Sequence, residues 1–504
     1  MSTLNLENSP RTVRAELDIP YRHVDTHFIG GQWVQAHASE RADVVDPATG
    51  QVWGSVPRGN DDDLNAAVAA AKDAFDAGAW SGLEAAERAQ YLNRIADEIE
   101  ARAEILSWTN SLENGSPVAE TAGAAANAAG IFRYFATLAH VIDEEDVRPA
   151  PRGGFSSTVK RDPVGVCALI APWNFPINLV VIKLAPALLA GCTVVIKPAS
   201  PTPVSIRIVM DAIAAAGVPA GMVNMVTGSG QMGDKLVRHP DVAKVAFTGS
   251  TPVGRKIAAA CGELLRPVTL ELGGKSSAVI LPDVDVEVLR ANLVRSCLRN
   301  TGQTCYISTR LIVPTSRYEE IVQLVAEEIS GAAQGDPLAE ATVFGPCATE
   351  SQYNTVLEYI DSAKAEGARC VTGGEPADLA GELGQGFFVK PTVFADVTPD
   401  MRIAREEIFG PVISMIKYDD SSGVEEAIAI ANNTEFGLGG IVFTADEEAG
   451  KAVAEKIDSG SVGVNFFASN HAAPFGGRHD SGMGVEYGPE GLHAYLIYKS
   501  IHHR

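Results

Sequence analysis

The segment Asn300–Ser308, NTGQTCYIS, places Cys305 among small and polar residues beside a Gly-Gln turn. Most cysteines are small buried hydrophobes, and that reading suits the other six of the seven in this chain. A cysteine in an open, polar turn instead has the surroundings of a thiolate nucleophile, which needs a base, a donor for developing negative charge and, in a redox reaction, an electron acceptor. Glu271 stands in VTLELGGKS, an apolar strand pattern ahead of two glycines. Burial there raises its pKa and suits it to proton transfer, while an edge-strand glutamate facing water has equal weight. Asn174, in PWNFP after the strand pattern VGVCALIA, is either a turn former between two prolines or an amide fixed toward an oxyanion; on local grounds the turn is favoured. Lys197 closes TVVIK, a strand end where lysine is ordinarily solvated.

An electron acceptor has a candidate seat in VAKVAFTGSTPVGRKIAAA, which reads strand, turn, helix. Gly249 and Gly254 bracket the turn, and a helix starting near Ser250 directs unpaired backbone N–H groups at a phosphate. Alone this spacing is weak, fits an ordinary strand-to-helix turn better, and is not the GxGxxG dinucleotide fingerprint. A second turn, VTGSGQMGDKL, adds Gly228, Gly230 and Gly233 after another strand.

The elements that must position these residues follow from periodicity. A polar arm precedes short strands around HFIGGQWV and DVVDPATGQVWGSVP, and residues 60–140 carry helical patterns with acidic residues leading the first helix. Residues 143–162 form a charged Pro/Gly-containing excursion with the pattern of a protruding hairpin. VGVCALIAP, GCTVVIKPA, MVNMVTG and VAKVAFTG are short β-branched runs alternating with helices, the mark of parallel strands buried on both faces in a doubly wound α/β domain. A second alternation (SSAVIL, RLIVP, PVISMIKY) puts a domain boundary near residue 273.

A chain of 504 residues exceeds one ordinary core, so two or more domains are expected. The net charge of −23 disfavours nucleic acid and anionic membranes as partners. The apolar stretch from Leu179 to Ile196 is broken by Lys183 and Pro186, and the first twenty residues lack a secretory apolar run. The odd, scattered cysteines without CxxC or Cys/His clusters support neither a disulfide framework nor a metal site. A cytoplasmic protein is the expectation.

Taken together, FIGGQW (28–33), PWNFP (172–176), VIKPA (195–199), FTGSTPVG (247–254), LELGGKS (270–276), NTGQTC (300–305), EEIFGP (406–411) and PFGG with SGMG (474–484) make the chain resemble the aldehyde dehydrogenase superfamily over nearly its whole length. The resemblance implies an α/β fold with two Rossmann-like parallel-sheet domains and a small β oligomerisation element. It implies an NAD(P)-binding domain over 1–142 and 163–273, a catalytic domain over 274–488, and an oligomerisation element over 143–162 with 489–504. The implied reaction is oxidation of an aldehyde to a carboxylic acid, with no metal, through a thiohemiacetal and then a thioester on Cys305. In that scheme Asn174 and the Cys305 backbone N–H hold the oxyanion, a turn rich in backbone N–H groups near the cofactor's charged ring lowers the thiol pKa, and Glu271 activates the deacylating water.

For NAD(P)+ the resemblance carries over Lys197 to the adenosine ribose and Phe247, Gly249, Ser250 and Gly254 to the pyrophosphate region, with Gly228, Gly233 and Leu272 nearby. Glu407 and Phe409 match the nicotinamide ribose contacts, and Pro172 and Trp173 the cofactor wall. Strongly NAD-selective members often have a glutamate where this chain has Ser200, so NADP should be tolerated beside NAD. Phe175, Asn178, Ile182, Arg299, Thr304, Tyr306, Phe466, Phe467 and Phe475 fall in segments that line the substrate tunnel in relatives, which suggests a medium-sized aliphatic or aromatic aldehyde. Arg299 either binds an anionic tail or, as the commoner arrangement, turns outward to a surface acid. The implied assembly is a homo-dimer or homo-tetramer. A CoA-acylating enzyme is disfavoured by retention of Glu271, and a silent structural relative by retention of Cys305, Asn174 and Glu271 together.

Overall fold

The computed structural model describes residues 19–504; the expected polar arm lies outside the described residues over 1–18. Two open sheets organise the chain. In the first, five parallel strands run in the order Val223–Met225, Thr193–Lys197, Val166–Ile170, Lys244–Thr248, Val268–Glu271. Their residues are buried almost throughout, as continuous β-branched runs require when helices cover both faces. The hairpin Thr26–Ile29/Gln32–Gln35 borders this sheet at one edge, turning through Gly30 and Gly31, both with positive φ. At the other edge Gly482–Met483 pairs antiparallel with Leu270 and Glu271, so a segment from near the C-terminus returns to the first sheet.

The second sheet begins at Ser277–Ile280 and holds seven strands, in the order Arg369–Thr372, Thr392–Ala395, Val412–Tyr418, Arg310–Pro314, Ser277–Ile280, Gly439–Phe443, Ser461–Val464. All neighbours are parallel except the first edge pair. The doubly wound α/β architecture read from the sequence is therefore present twice. Residues 146–163 form a hairpin, Asp146–Pro149 with Ser156–Pro163, and the C-terminal strand Leu496–His503 adds to it over eight registered pairs. Val147, Phe155, Ile497, Tyr498 and Ile501 leave this small sheet with exposed apolar side chains.

The helix Pro176–Ala190 matters most to the site. Proline at its first position fits the missing N–H there, and Gly191 ends it in the left-handed region (φ 97°). It is apolar nearly all round and correspondingly buried, with Lys183 its one charged residue. Among the described residues no helix is long and apolar enough to cross a membrane, and no group of three or more His, Cys, Asp or Glu is placed to hold a metal.

Candidate active site

In open α/β sheets ligands collect beyond the carboxyl ends of the strands. Lys197, Thr248 and Glu271 are each the last residue of a first-sheet strand, and Asn174 lies just beyond Val166–Ile170. Cys305 arrives from the other side. After the helix Val286–Cys297 the chain passes through three successive left-handed residues, Asn300 (φ 53°), Thr301 (φ 57°) and Gly302 (φ 75°). A Cβ at Gly302 would lie 2.0 Å from the Gly410 carbonyl oxygen, so only glycine fits the turn. The non-glycine pair is strain held in place by its partners: the Gly345 N–H donates to Thr301 Oγ1 (2.9 Å), and Ser116 Oγ donates to Asn300 Oδ1 (2.6 Å).

Cys305, Asn174 and Glu271 line one cavity of about 270 Å³. Asn174 Nδ2 donates one hydrogen to the Gln303 carbonyl (3.0 Å), which fixes the amide and leaves a second N–H. The Asn174 carbonyl accepts from Asn114 Nδ2 (3.2 Å) and Asn300 Nδ2 (3.1 Å), and Asn114 also holds the Trp173 carbonyl (3.1 Å). Asn114 and Ser116 were not singled out from the sequence. The simple turn-former reading of Asn174 is superseded by this buried clasp.

Glu271 is 3 % exposed, and neither carboxylate oxygen has a hydrogen-bond partner among the described residues. The edge-strand alternative fails because Gly482–Met483 covers the strand. Burial pushes its pKa well above the ordinary carboxylate range, the Glu486 charge adds to the rise and Lys183 opposes it. Lys183 Nζ, fully buried, donates to Glu486 Oε1 and Thr248 Oγ1, each at 2.6 Å. Sequence reading noted Lys183 only as an interruption and passed over Glu486; a charge inside INLVVIKLAPALLA was the available signal, since it demands a buried partner.

Within the protein itself the cysteine is held as a thiol. Burial raises the Cys305 thiol to about 12, with Glu407 and Glu271 adding to the rise and backbone N–H groups only offsetting part of it. The turn alone therefore does not activate the thiol. Of the other six cysteines five are buried, but Cys370 is exposed, contrary to the sequence reading.

The cofactor-side residues form a continuous neighbourhood. Glu407 Oε1 accepts from the Gly274 N–H (2.9 Å), and burial lifts its pKa to about 7. Trp173 meets Phe409 edge-on, ring centroids 5.4 Å apart, with Pro172 beside it. Ser250 caps the helix Thr251–Glu263 without a side-chain hydrogen bond. A Cβ at Gly254 would lie 2.4 Å from Leu272 Cδ2 and one at Gly249 2.5 Å from Phe247 Cζ, so a side chain at either glycine would have to displace its neighbour in this turn. Lys197 is not a solvated strand end: it is buried beside Gly233, donates to the Pro198 carbonyl (3.1 Å), and has its pKa lowered by burial to about 8. That single hydrogen bond among the described residues leaves two ammonium protons over, and with the bare helix start and the Glu407 carboxylate this set fits a dinucleotide. Ser200 is exposed and donates to the Gly228 carbonyl (3.3 Å).

Of the nine tunnel residues, Phe175, Asn178, Ile182, Arg299, Thr304, Tyr306, Phe467 and Phe475 line the cavity. Phe466 does not: it is 63 % exposed, because its neighbour Phe467 takes the inward place, stacked on Tyr306 at 4.8 Å. Arg299 does pair with an acid, but inside the wall; its partner Glu120 lines the same cavity.

Residues 33–501 match the aldehyde dehydrogenase family. The chain is 45 % identical over 487 residues to geranial dehydrogenase of Castellaniella defragrans, covering 96 % of this chain and 99 % of the relative. It is 38 % identical over 493 residues to the peroxisomal aminoaldehyde dehydrogenase 2 of Pisum sativum, covering 96 % of each. Among solved structures, aldehyde dehydrogenase C of Pseudomonas syringae, in a mutant form with NAD+ and octanal, superposes with a TM-score of 0.90 at 40 % identity over 96 % of this chain and 97 % of that one. An NAD+ complex of a Mycobacterium tuberculosis aldehyde dehydrogenase gives 0.91 at 40 % identity over 95 % and 98 %. With the paired sheets and this cavity in view, the chain belongs to the aldehyde dehydrogenase family.

Proposed function

We propose that this oxidoreductase uses Cys305 as nucleophile, Asn174 as oxyanion donor and Glu271 as base to oxidise uncharged, medium-sized aldehydes with NAD+. The observation carrying this reading is that the three side chains share one cavity walled by Phe175, Leu179, Ile182, Phe467 and Phe475. Cys305 reacts as its thiolate, the thiol proton passing to bulk water, and Sγ adds to the aldehyde carbon to give a thiohemiacetal whose oxyanion takes the free Asn174 N–H and the Cys305 backbone N–H. When bound, the nicotinamide cofactor supplies the hydride acceptor that turns this adduct into a thioester. Lys197, the Ser250 helix start and Glu407 hold the cofactor. Glu271, whose raised pKa makes its carboxylate a strong base, takes a proton from the water that attacks the thioester, and Cys305 is released with the carboxylic acid.

Several finer features belong to the same reading. The first sheet with the N-terminal helices is the cofactor domain, and the second sheet is the catalytic domain. The exposed edge strand Leu496–His503, with apolar Ile497, Tyr498 and Ile501, pairs copies into a homo-dimer or homo-tetramer. NADP is accepted beside NAD because Ser200 places no fixed charge at the ribose. The acidic chain works in the cytoplasm without metal. The test is an aldehyde panel followed by reduced-nicotinamide absorbance, with and without coenzyme A. Turnover without coenzyme A, abolished in Cys305→Ala with cofactor affinity retained, is expected. Strict dependence on coenzyme A, or full turnover by Cys305→Ala, overturns the assignment.

A further inference from the structure

The cavity wall contains an ion pair that the oxidation chemistry does not use. Arg299 Nε donates to Glu120 Oε1 at 2.8 Å, and Arg299 Nη2 donates to the same oxygen. Its remaining terminal nitrogen, Nη1, donates to the Tyr306 hydroxyl, and the guanidinium lies over the Phe175 ring at 5.1 Å. Glu120, Arg299, Tyr306 and Phe175 all line the cavity that holds Cys305. The Nε–Nη2 edge of an arginine is the fork that binds carboxylates side-on, and Glu120 occupies that edge here.

The other charges on the wall are accounted for separately. Glu486 is matched by Lys183, Glu271 is held toward its neutral form by burial, and Arg295 is exposed and forms no ion pair among the described residues. Without Glu120 the tunnel would present a half-buried guanidinium inside a low-dielectric wall, a strong receptor for a carboxylate tail. With Glu120 in place, an anionic tail meets a carboxylate and a cationic tail meets a guanidinium.

We propose that Glu120 is a specificity-determining residue: by neutralising Arg299 inside the tunnel it confines the enzyme to aldehydes without a charged tail. This rests on the aldehyde-oxidising reading above and adds to it the residue that sets the charge of the substrate class.

The experiment measures kcat/KM with NAD+ for pairs matched in length: 4-oxobutanoate with butanal, 6-oxohexanoate with hexanal, 4-formylbenzoate with benzaldehyde, and 4-(trimethylammonio)butanal with hexanal. Wild type should prefer the neutral member of every pair. Glu120→Gln should raise the acid-to-neutral ratio in at least one pair by about 10- to 150-fold, the range of one charge-assisted hydrogen bond gained. Arg299→Gln should move the other way, lowering that ratio and raising the trimethylammonio-to-neutral ratio. The double variant Glu120→Gln/Arg299→Gln should lose the gain seen in Glu120→Gln, and Arg295 stays unchanged throughout so that the difference reports position 299. Ratios that stay within about threefold of wild type in both single variants overturn the proposal. So does a gain that survives in the double variant. Absence of wild-type turnover with every neutral aldehyde would instead refute the aldehyde-oxidising reading itself, and the two failures are told apart by that control.

Discussion

Glu486→Gln isolates the electrostatics that tune Glu271. Glu486 raises the Glu271 pKa and Lys183 lowers it, so removing the negative charge while keeping the ammonium moves Glu271 in one direction, downward. A unit charge ~5–8 Å away at an effective dielectric of ~20 is worth ~2–3 kcal/mol, on the order of 1.5–2.5 pKa units before relaxation. About one unit is a realistic shift, because the glutamine amide and Thr248 reorient around Lys183. When deacylation limits turnover, the acid limb of the pH–kcat profile reports the base, and it should move about one pH unit lower in Glu486→Gln. The plateau should fall a few-fold, since a carboxylate of lower pKa is a weaker base. Lys183→Met provides the contrast: it strands the Glu486 carboxylate in a buried site and should cost about 3–5 kcal/mol of stability by denaturant titration, more than Glu486→Gln. An acid limb that stays in place or moves upward in Glu486→Gln would show that Glu271 does not feel this pair, and the account of its basicity would fall.

Glu271→Gln should give a pre-steady-state burst of reduced cofactor followed by turnover slowed on the order of 10²–10⁴-fold, since acylation survives and deacylation loses its base. The same variant should gain stability over wild type as pH rises: the folded-state pKa of Glu271 lies well above the ordinary 4.5 of an exposed carboxyl, so wild-type stability is full below 4.5 and declines from there to the folded-state pKa. The difference between variant and wild type in thermal melts should widen by about 1.4 kcal/mol per pH unit until the folded-state pKa is reached; no widening would mean Glu271 is ionised in the free enzyme. Alkylation of Cys305 by iodoacetamide in the free enzyme should accelerate with pH up to at least pH 10, because burial raises the thiol to about 12, and Glu407→Gln should shift the profile lower; a plateau near pH 7 would contradict both. Ser200→Glu should turn the NADP/NAD kcat/KM ratio against NADP by roughly 5- to 150-fold, about 1–3 kcal/mol, and an unchanged ratio would remove position 200 from the ribose site.

What sequence could reveal here depends on how far apart the cooperating residues lie along the chain. The two parallel sheets were legible because β-branched runs such as TVVIK and VAKVAFT declare strands buried on both faces without reference to anything distant. Cys305 was legible because its turn is local: Asn300, Thr301 and Gly302 must all sit in the left-handed region, and a glycine within a polar run marks such a place. The raised pKa of Glu271 followed from its apolar strand, but the charges that tune it and the state of Cys305 were not legible, since they are set across long stretches of chain. The electropositive turn expected to activate Cys305 is outweighed by burial and by Glu407, about a hundred positions away in sequence, and Lys183 meets Glu486 across three hundred.

Phe466 and Arg299 fail for different reasons, and the difference shows where pattern reading stops. At 466 and 467 the error concerns which of two adjacent phenylalanines turns inward after the strand Ser461–Val464: Phe467 stacks on Tyr306 and Phe466 is left exposed. At Arg299 the chemistry was right and the location wrong. An arginine pairs with an acid because its charge is costly to leave alone, but whether the acid stands at the surface or in the tunnel depends on where the short helix Val118–Thr121 delivers Glu120. That placement turns an ordinary ion pair into a charge filter beside the nucleophile, so the specificity of this enzyme is written in a contact between two segments that share no motif.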